Sequence, residues 1–372
     1  MHIGLPKERK QLEFRVGLIP DVVEQLIRDG HEVTVESGAG LGAGYGDEAY
    51  RGAGARVVDS PRAVFDVAEL VVKVKEPQPE EMAMIRPGQA LFTYLHLAAD
   101  PELTRALQKT GCIGIAYETV TDPDGRLPLL TPMSQIAGRM ATQVGAHYLE
   151  KGQGGRGVLM SGLDGAPPAD VIILGGGNVG SNAARIAVGM GADVTIFDAK
   201  EERVSALRDL FAGSVRCQIA DPLLVEQAVL KADLVIGSVL IPGASAPKVV
   251  SRDLVYRMAE GAVLVDVAID QGGCFETSRP TSLADPVYTE HGVIHYCVTN
   301  IPSAVARTAT IALNHITGPY VQNLANHGIE AALRDDRCLM NGVNLYRGHV
   351  THRAVADSLG VEYAEFCEVA VC

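Results

Sequence analysis

An α/β fold of two doubly wound domains, the first of them discontinuous, is the architecture this sequence predicts, and three observations predict it. Short apolar strands alternate with helical patterns from the N-terminus to about residue 300. A glycine-rich turn joins one such strand to a helix between Val171 and Met190. A long helical pattern, SAVARTATIALNHITGPYVQNLAN from Ser303, then leads back toward the first set of strands, so the closing residues pack there. A chain of 372 residues has room for two domains. The expected boundaries are 1–129 plus 304–372 for the first and 130–303 for the second.

In order, His2–Leu5 is a short strand that stops at Pro6. Pro20 fits the first turn of a helix that Gly30 ends. Glu32–Glu36 alternates as a strand does. The following stretch, Gly38 to Ala55, holds Gly44, Gly46 and Ala49 in GxGxxA spacing, with Asp59 beyond a later strand. Asp47–Arg51 is too short and too glycine-flanked for a crossover helix, so a loop with one helical turn is expected there, not a nucleotide site. Ser60 and Pro61 open a helix toward Ala68. Leu70–Lys75 reads as a strand, with Val72 and Val74 on one face and Val71, Lys73 and Lys75 on the other. Ala90–Leu95 is an apolar strand ending at His96, Thr104–Lys109 is helical, and Cys112–Tyr117 is another strand. After a turn at Asp122–Gly125, Thr131 and Pro132 open a helix to about Tyr148.

The second domain begins its sheet at Val171–Leu174, a β-branched run that enters three glycines. Val179, Ala183, Ile186, Ala187 and Met190 then recur on one helix face, and Asp193–Phe197 is a strand that ends in Asp198. Gly175, Gly177 and Gly180 therefore form GxGxxG between strand and helix, with an acid at the next strand's tip. Gly175 permits the turn, Gly177 lets backbone approach pyrophosphate, and Gly180 lets helix and sheet pack closely. The amide groups at Asn178 and Val179 open a helix whose N-terminus attracts phosphate. Asp198 suits ribose hydroxyls and repels a 2′-phosphate, so NAD is expected over NADP. Beyond it lie a helix at Glu201–Phe211, a strand near Val215–Ile219, a helix at Pro222–Lys231, and strands at Asp233–Val239, Ala262–Ala268 and Val293–Val298.

Composition excludes several roles. With 32 basic and 45 acidic residues the net charge is −13, which argues against nucleic acid or an anionic membrane as the main partner. No apolar run reaches the roughly 18 residues of a membrane helix, and MHIGLPKERK lacks a signal-peptide core. The seven cysteines are odd in number and form no CxxC, so reduced thiols and a cytoplasmic location are expected.

Ligands of open α/β sheets gather beyond strand C-termini. Lys75 and His96 stand at such ends, and Arg15 follows the loop after the first strand. Arg15 suits bidentate capture of a carboxylate. Lys75 can hydrogen-bond a carbonyl or amine, and His96 can exchange a proton near neutral pH. The plainer alternatives are a surface arginine, an exposed lysine and a capped core histidine. Asp266 and Asp270 lie at another strand end; Asp270 beside Gln271 and two glycines is the stronger candidate, and Asp266 is the one for capping or packing. Asn300 and Ile301 follow the last strand. His291 and His295 are four apart, but Gly292 and β-branched neighbours argue against a helical metal pair. Cys274 reads as a buried small residue.

These motifs resemble the L-alanine dehydrogenase family, which is related to the NAD-binding part of proton-translocating transhydrogenase. The resemblance rests on GLPKE at 4–8, Arg15, VKVKEP at 72–77, YLHLA at 94–98, MSQIAGRMA at 133–141, QGGRGVLM at 153–160, DVAIDQGGCFETSRPT at 266–281 and NIP at 300–302, and spans essentially the whole chain. It implies that Arg15 and Lys75 hold the substrate carboxylate and carbonyl, with Tyr94, Met133 and Asn300 beside them. His96 and Asp270 become the acid/base groups. Ser134, Asp198, Arg203, Val239, Leu240, Val267, Ala268, Ile269, Asp270, Arg279, Val298, Asn300 and Ile301 join the glycine turn in contacting NAD. The implied reaction is reversible oxidative deamination of L-alanine to pyruvate and ammonium, in a homohexamer with no membrane or nucleic-acid partner, and with the two domains closing over the substrate. Three departures stand out. Ala220 replaces a serine common in relatives, GGGNVG replaces GAGTAG or GAGVVG, and Asn323 replaces an acid that with His327 binds a divalent ion in some relatives, so no metal is expected. The rivals are another amino-acid dehydrogenase or reductive condensing enzyme, and an NAD(H)-binding transhydrogenase subunit, which would not need Arg15, Lys75 and His96 together.

Overall fold

The structure, a computed structural model, describes residues 1–239 and 246–370. It divides into two compact units: Met1–Pro132 together with the chain from Val305 onward, and Met133–Ala304. Among the described residues, no helix is long and apolar enough to cross a membrane.

The first unit opens with β1 (His2–Leu5), β2 (Glu32–Glu36), β3 (Arg56–Val58), β4 (Leu70–Val72), β5 (Ala90–Thr93) and β6 (Ile113–Ala116). All pair in parallel, in the order β3-β2-β1-β4-β5-β6. Parallel strands need crossovers, and helices at Pro20–Arg28, Pro61–Phe65 and Pro101–Thr110 supply three of them, each with proline in its first turn. The Gly38–Ala55 stretch differs from expectation. It is the crossover between parallel β2 and β3, through a helix at Asp47–Gly52. The Asp47 carboxylate, at the first position of that helix, accepts from Ser37 Oγ at 2.7 Å and from the Gly38 N–H at 2.8 Å, which ties the helix back to the end of β2. Those two bonds hold Asp47 below the usual carboxylate range.

β4 is shorter than the expected Leu70–Lys75, and its periodicity does not divide exposed from buried. Val71, Val72, Lys73 and Val74 are all buried, as on an interior parallel strand covered on both faces.

The second unit contributes β7 (Asp170–Leu174), β8 (Asp193–Asp198), β9 (Arg216–Ile219), β10 (Leu234–Gly237), β11 (Val263–Asp266), β12 (Val287–Glu290) and β13 (Val293–Tyr296). The order is β9-β8-β7-β10-β11-β13-β12, parallel except for the edge strand β12. Ile172, Leu174, Val235, Leu264 and Phe275 anchor its apolar core.

From Val305 the chain is again in the first unit. A 3₁₀ segment at Ile301–Val305 precedes the helix Ala306–His327, which starts three residues after Ser303. β14 (Val343–Tyr346) pairs antiparallel with β6, and β15 (His349–Val350) with β14. The returning helix also fixes the loop after β1. Thr310 Oγ1 accepts from the Val16 N–H at 3.2 Å, and Asn314 Oδ1 from the Ile19 N–H at 2.8 Å.

Candidate functional site

In each sheet the strand order reverses once, between β1 and β4 in the first unit and between β7 and β10 in the second. Such switch points leave a crevice beyond the strand C-termini. The candidate residues cluster at these two places.

At the first, the sequence after β1 meets the sequence after β4 through charge. The Glu8 carboxylate accepts the Val74 N–H at 2.7 Å and lies 3.3 Å from the Lys73 ammonium, which also donates to Glu81 at 3.0 Å. All three side chains are almost fully buried. Burial raises the Glu8 carboxyl above its ordinary range, against the pull of Lys73. Arg15, 2% exposed, is held by Glu13: Nε and Nη2 donate to the two carboxylate oxygens at 2.7 and 2.6 Å. The bidentate edge expected to meet a ligand thus meets Glu13, because a buried guanidinium needs a countercharge. Burial works against the Arg15 charge, and the Glu13 bonds outweigh it and raise its affinity for the proton.

Lys75 follows. Burial lowers its ammonium below the ordinary lysine value of 10.5, and the charges of Arg15 and Lys10 push the same way, opposed by Glu76 and Glu13. Arg15 in turn acts electrostatically on Tyr94. The Tyr94 ring stacks parallel on the His96 imidazole, with centroids 5.7 Å apart, and its hydroxyl donates to the Leu129 carbonyl at 2.6 Å. The Lys75 carbonyl accepts from Thr93 Oγ1 at 2.9 Å, next to Tyr94, so Lys75, Tyr94 and His96 share the adjacent ends of β4 and β5, and the Arg15 charge acts on both Lys75 and Tyr94.

His96 is exposed and left-handed, with φ +51°. Histidine tolerates this region better than most residues, at some cost. Glu118 offsets that cost: its carboxylate accepts the His96 N–H at 2.6 Å and the Leu95 N–H at 3.2 Å, and Oε1 lies 3.9 Å from His96 Nδ1.

The second switch point is built from backbone. Gly175 has φ +98°, and a Cβ there would fall 2.8 Å from the Ser238 carbonyl oxygen. A Cβ at Gly180 would fall 1.9 Å from the Gly175 oxygen, so the helix Asn178–Gly189 rests directly on the turn. A Cβ at Gly177 would meet nothing within 4 Å, leaving open space before the helix N-terminus. Ser238 Oγ donates to the Leu174 and Gly175 carbonyls, at 3.0 and 2.8 Å. Asp198 accepts the Gly176 N–H at 2.8 Å and the Lys200 N–H at 3.0 Å, which sets its carboxylate beside the turn. Arg203, exposed in the first turn of the helix Glu201–Phe211, lies over Gly176. A tight turn, open space at a helix N-terminus and an acid one strand away fit a dinucleotide.

Ser134 is half-buried on the helix Thr131–Tyr148. That helix crosses the nucleotide-type helix closely: a Cβ at Gly138 would fall 2.1 Å from the Val179 oxygen, Arg139 Nε donates to Asn182 at 3.1 Å, and Thr142 Oγ1 donates to the Ala183 carbonyl at 2.9 Å. Ser134 is one turn before Gly138, on the same face. Met133 beside it is buried.

At the C-terminal end of β11, Asp266 is fully buried. It accepts from the N–H groups of Ala268, Cys274 and Phe275 at 3.0, 2.8 and 3.3 Å, and from Ser278 Oγ at 2.5 Å. Asp266 thus organises the loop that exposes Asp270 in the short 3₁₀ turn Ile269–Gln271. Val267 is half-buried, and Ala268 and Ile269 are buried. Cys274 is buried in this network and its thiol is pushed well above the usual range, mainly by burial. Arg279 lies 4.0 Å over the Tyr288 ring, whose hydroxyl accepts the Arg279 N–H. Val298 and Ile301 are buried, Asn300 and Val239 half-buried; Leu240 lies outside the described residues. His295 is a core residue bonded to Thr277 Oγ1 and the Val293 carbonyl, and burial lowers its affinity for a proton.

Glu13, Glu118, Ser238 and the Glu8–Lys73–Glu81 group are absent from the sequence reading. A lysine inside the apolar run LVVKV was the available signal for a buried ion pair. Nothing local marks Glu118, which acts 22 residues from His96.

Residues 4–137 match the family described as alanine dehydrogenase/PNT, N-terminal domain, and residues 141–353 match alanine dehydrogenase/PNT, C-terminal domain. The chain is 53% identical over 365 residues to an alanine dehydrogenase of Bacillus subtilis, covering 98% of this chain and 96% of that one. It superposes on a solved structure of an L-alanine dehydrogenase with a TM-score of 0.94 at 52% identity, over 97% of this chain and 99% of the other. A transhydrogenase structure from Sinorhizobium meliloti gives a TM-score of 0.81 at 25% identity, over 95% and 100%.

Proposed function

The chain belongs to the alanine dehydrogenase/PNT family, and from that premise we propose that it catalyses the reversible NAD-dependent oxidative deamination of L-alanine to pyruvate and ammonium. The observation that carries this reading is the gathering of Arg15, Lys75, Tyr94 and His96 at the first unit's strand ends. A transhydrogenase subunit that binds only the dinucleotide has no use for that group.

In this reading the first unit, taken as 1–129 plus 304–372, holds the substrate, and the second, 130–303, holds NAD. NAD supplies the hydride acceptor. Arg15, held in orientation through its Nε–Nη2 edge by Glu13, and Lys75 receive the substrate carboxylate and its carbonyl or amine, which orients the Cα–H and removes rotational freedom before reaction. Their positive charge pairs with the substrate carboxylate, and in the reductive direction Lys75 polarises the pyruvate carbonyl toward attack. His96 or Asp270 takes the proton when water adds to the iminium and returns one when the carbinolamine collapses. Tyr94, Met133 and Asn300 are the further substrate contacts of this reading. The glycine turn, Asn178 and Val179 face the pyrophosphate, and Asp198 and Arg203 the adenosine. Ser134, Val239, Leu240, Val267, Ala268, Ile269, Arg279, Val298 and Ile301 complete the NAD contacts. The protein works in the cytoplasm as a homo-oligomer, a hexamer by family resemblance.

NADH formation with alanine, serine, 2-aminobutyrate, lysine and no amino acid tests the proposal. Alanine should give the highest kcat/KM. Absence of turnover with alanine, with NADH binding intact, overturns it.

A further inference from the structure

The loop carrying Asp270 is gripped a second time, by a residue outside every motif considered above. Residues 246–249 run beside it: the Ala246 N–H donates to the Gln271 carbonyl at 2.9 Å, and the Val249 N–H to the Cys274 carbonyl at 2.8 Å. Between those two bonds, the Lys248 ammonium donates to the carbonyls of Gly272, Gly273 and Phe275, at 2.5, 2.7 and 3.2 Å. A lysine has three N–H donors and no acceptor, so three carbonyls saturate it. Gly272 and Gly273 have φ +90° and +74°, and in this left-handed backbone their carbonyls converge on one point. Converging carbonyls repel one another unless a cation stands between them. Charge-assisted bonds of this kind are among the stronger ones in proteins.

Lys248 is itself exposed, so it is not there to fill the core. Asp266 collects amide N–H groups of the loop and Lys248 collects its carbonyls, with Phe275 bonded to both. The turn Ile269–Gln271 sits between the two clamps.

We propose that Lys248 is a positioning residue: its ammonium ties the loop after β11 to the chain after β10 and thereby fixes the turn that presents Asp270. The inference rests on the reading of Asp270 as a proton-transfer group. A small displacement of such a group costs rate without changing how tightly the dinucleotide is held.

The test compares Lys248→Met, which keeps the stem and removes the charge, with Lys248→Arg, which keeps the charge. In the full-length protein, Lys248→Met should lower kcat about tenfold, leave the KM for NAD within about twofold, and speed amide hydrogen exchange across residues 269–275. Lys248→Arg should recover much of the rate and the protection. Lys248→Gln is a second charge-free variant should Lys248→Met fold poorly. Unchanged exchange in the charge-free variants overturns the proposal, and so does faster exchange with undiminished kcat. Asp270→Asn, measured alongside, separates the two readings. If it turns over like the unmodified protein, the role of Asp270 is wrong, while the exchange data still report whether the ammonium holds the loop.

Discussion

Two crevices of the same topological origin are furnished in opposite ways. Where strand order reverses between β1 and β4, the space beyond the strands holds buried side-chain charge: Glu8, Lys73 and Glu81 in one group, Glu13 and Arg15 in another, and Lys75 beside them. Where it reverses between β7 and β10, the lining is main chain, with Gly175 against Ser238 and Gly180 against Gly175. The difference teaches what each can hold. A long dinucleotide needs room and many amides, which glycines provide. A small carboxylate needs a few strong charges held still, which a buried salt-bridge network provides at a desolvation cost. If this contrast is right, substitutions at one crevice should alter chemistry and those at the other cofactor affinity.

The largest effect is expected at Lys75. Lys75→Met should lower kcat with alanine about a thousandfold, with the NADH dissociation constant, read by fluorescence titration, within about twofold. A matching loss of NADH affinity would erase the distinction between the crevices. Gly180→Val comes next. Its side chain would have to occupy the space of the Gly175 oxygen, 1.9 Å from a Cβ, so NADH affinity should fall about a hundredfold; calorimetric titration reads it. Asp198→Ala loses the brace on Gly176 and the ribose partner. The KM for NAD should rise about tenfold, and NADPH should become a measurable cofactor in steady-state assays. Glu118→Gln keeps the shape but weakens the clasp on His96, so kcat should drop about fivefold with the KM for NAD unchanged.

The smallest effect concerns stability and pH. The Lys75 ammonium is lowered below 10.5 in the folded chain by burial, with Arg15 and Lys10 adding to it. Between its folded value and 10.5 the unfolded chain binds more protons, so this lysine makes the folded protein gain stability as pH rises through that window. Below the window its charge is a burden. Lys75→Met should therefore raise Tm by about a few degrees at neutral pH, with the gain fading toward pH 10.5. Melting curves across pH check the sign. A Tm that falls at neutral pH would mean that Lys75 is stabilised by its neighbours, contrary to the cause assigned here.

Legibility in the sequence followed the same divide. The backbone crevice was readable because its demands are local. Gly175, Gly177 and Gly180 fall within six residues; Gly175 and Gly180 are each required by a contact or a φ that a side chain would forbid, and Gly177 leaves the space before the helix open. The helices Glu201–Phe211 and Pro222–Lys231 were also readable to the residue, from charge and proline at their starts. The charged crevice offered only scattered candidates, since Arg15, Lys75 and His96 are far apart in the chain. The crossover at Asp47–Gly52 was misjudged because tertiary packing sustains a helix of six residues that would not form alone. The edge strand β12 and the strands β14 and β15 went unpredicted, having short, mixed sequences whose pairing partners lie on neighbouring strands.

The amino-acid order by itself determined the two α/β lobes, the dinucleotide-type turn and the acid beyond it, because strand alternation, helix capping and positive φ are properties of consecutive residues. Only the tertiary structure decided that Glu8 meets Lys73, that Glu118 holds His96 in a left-handed turn, and that Asp266 organises the Asp270 loop. The physical reason is range. A backbone conformation is set by its own few atoms, whereas a buried charge is tolerable only once folding brings an opposite charge or a converging set of hydrogen-bonding groups to meet it.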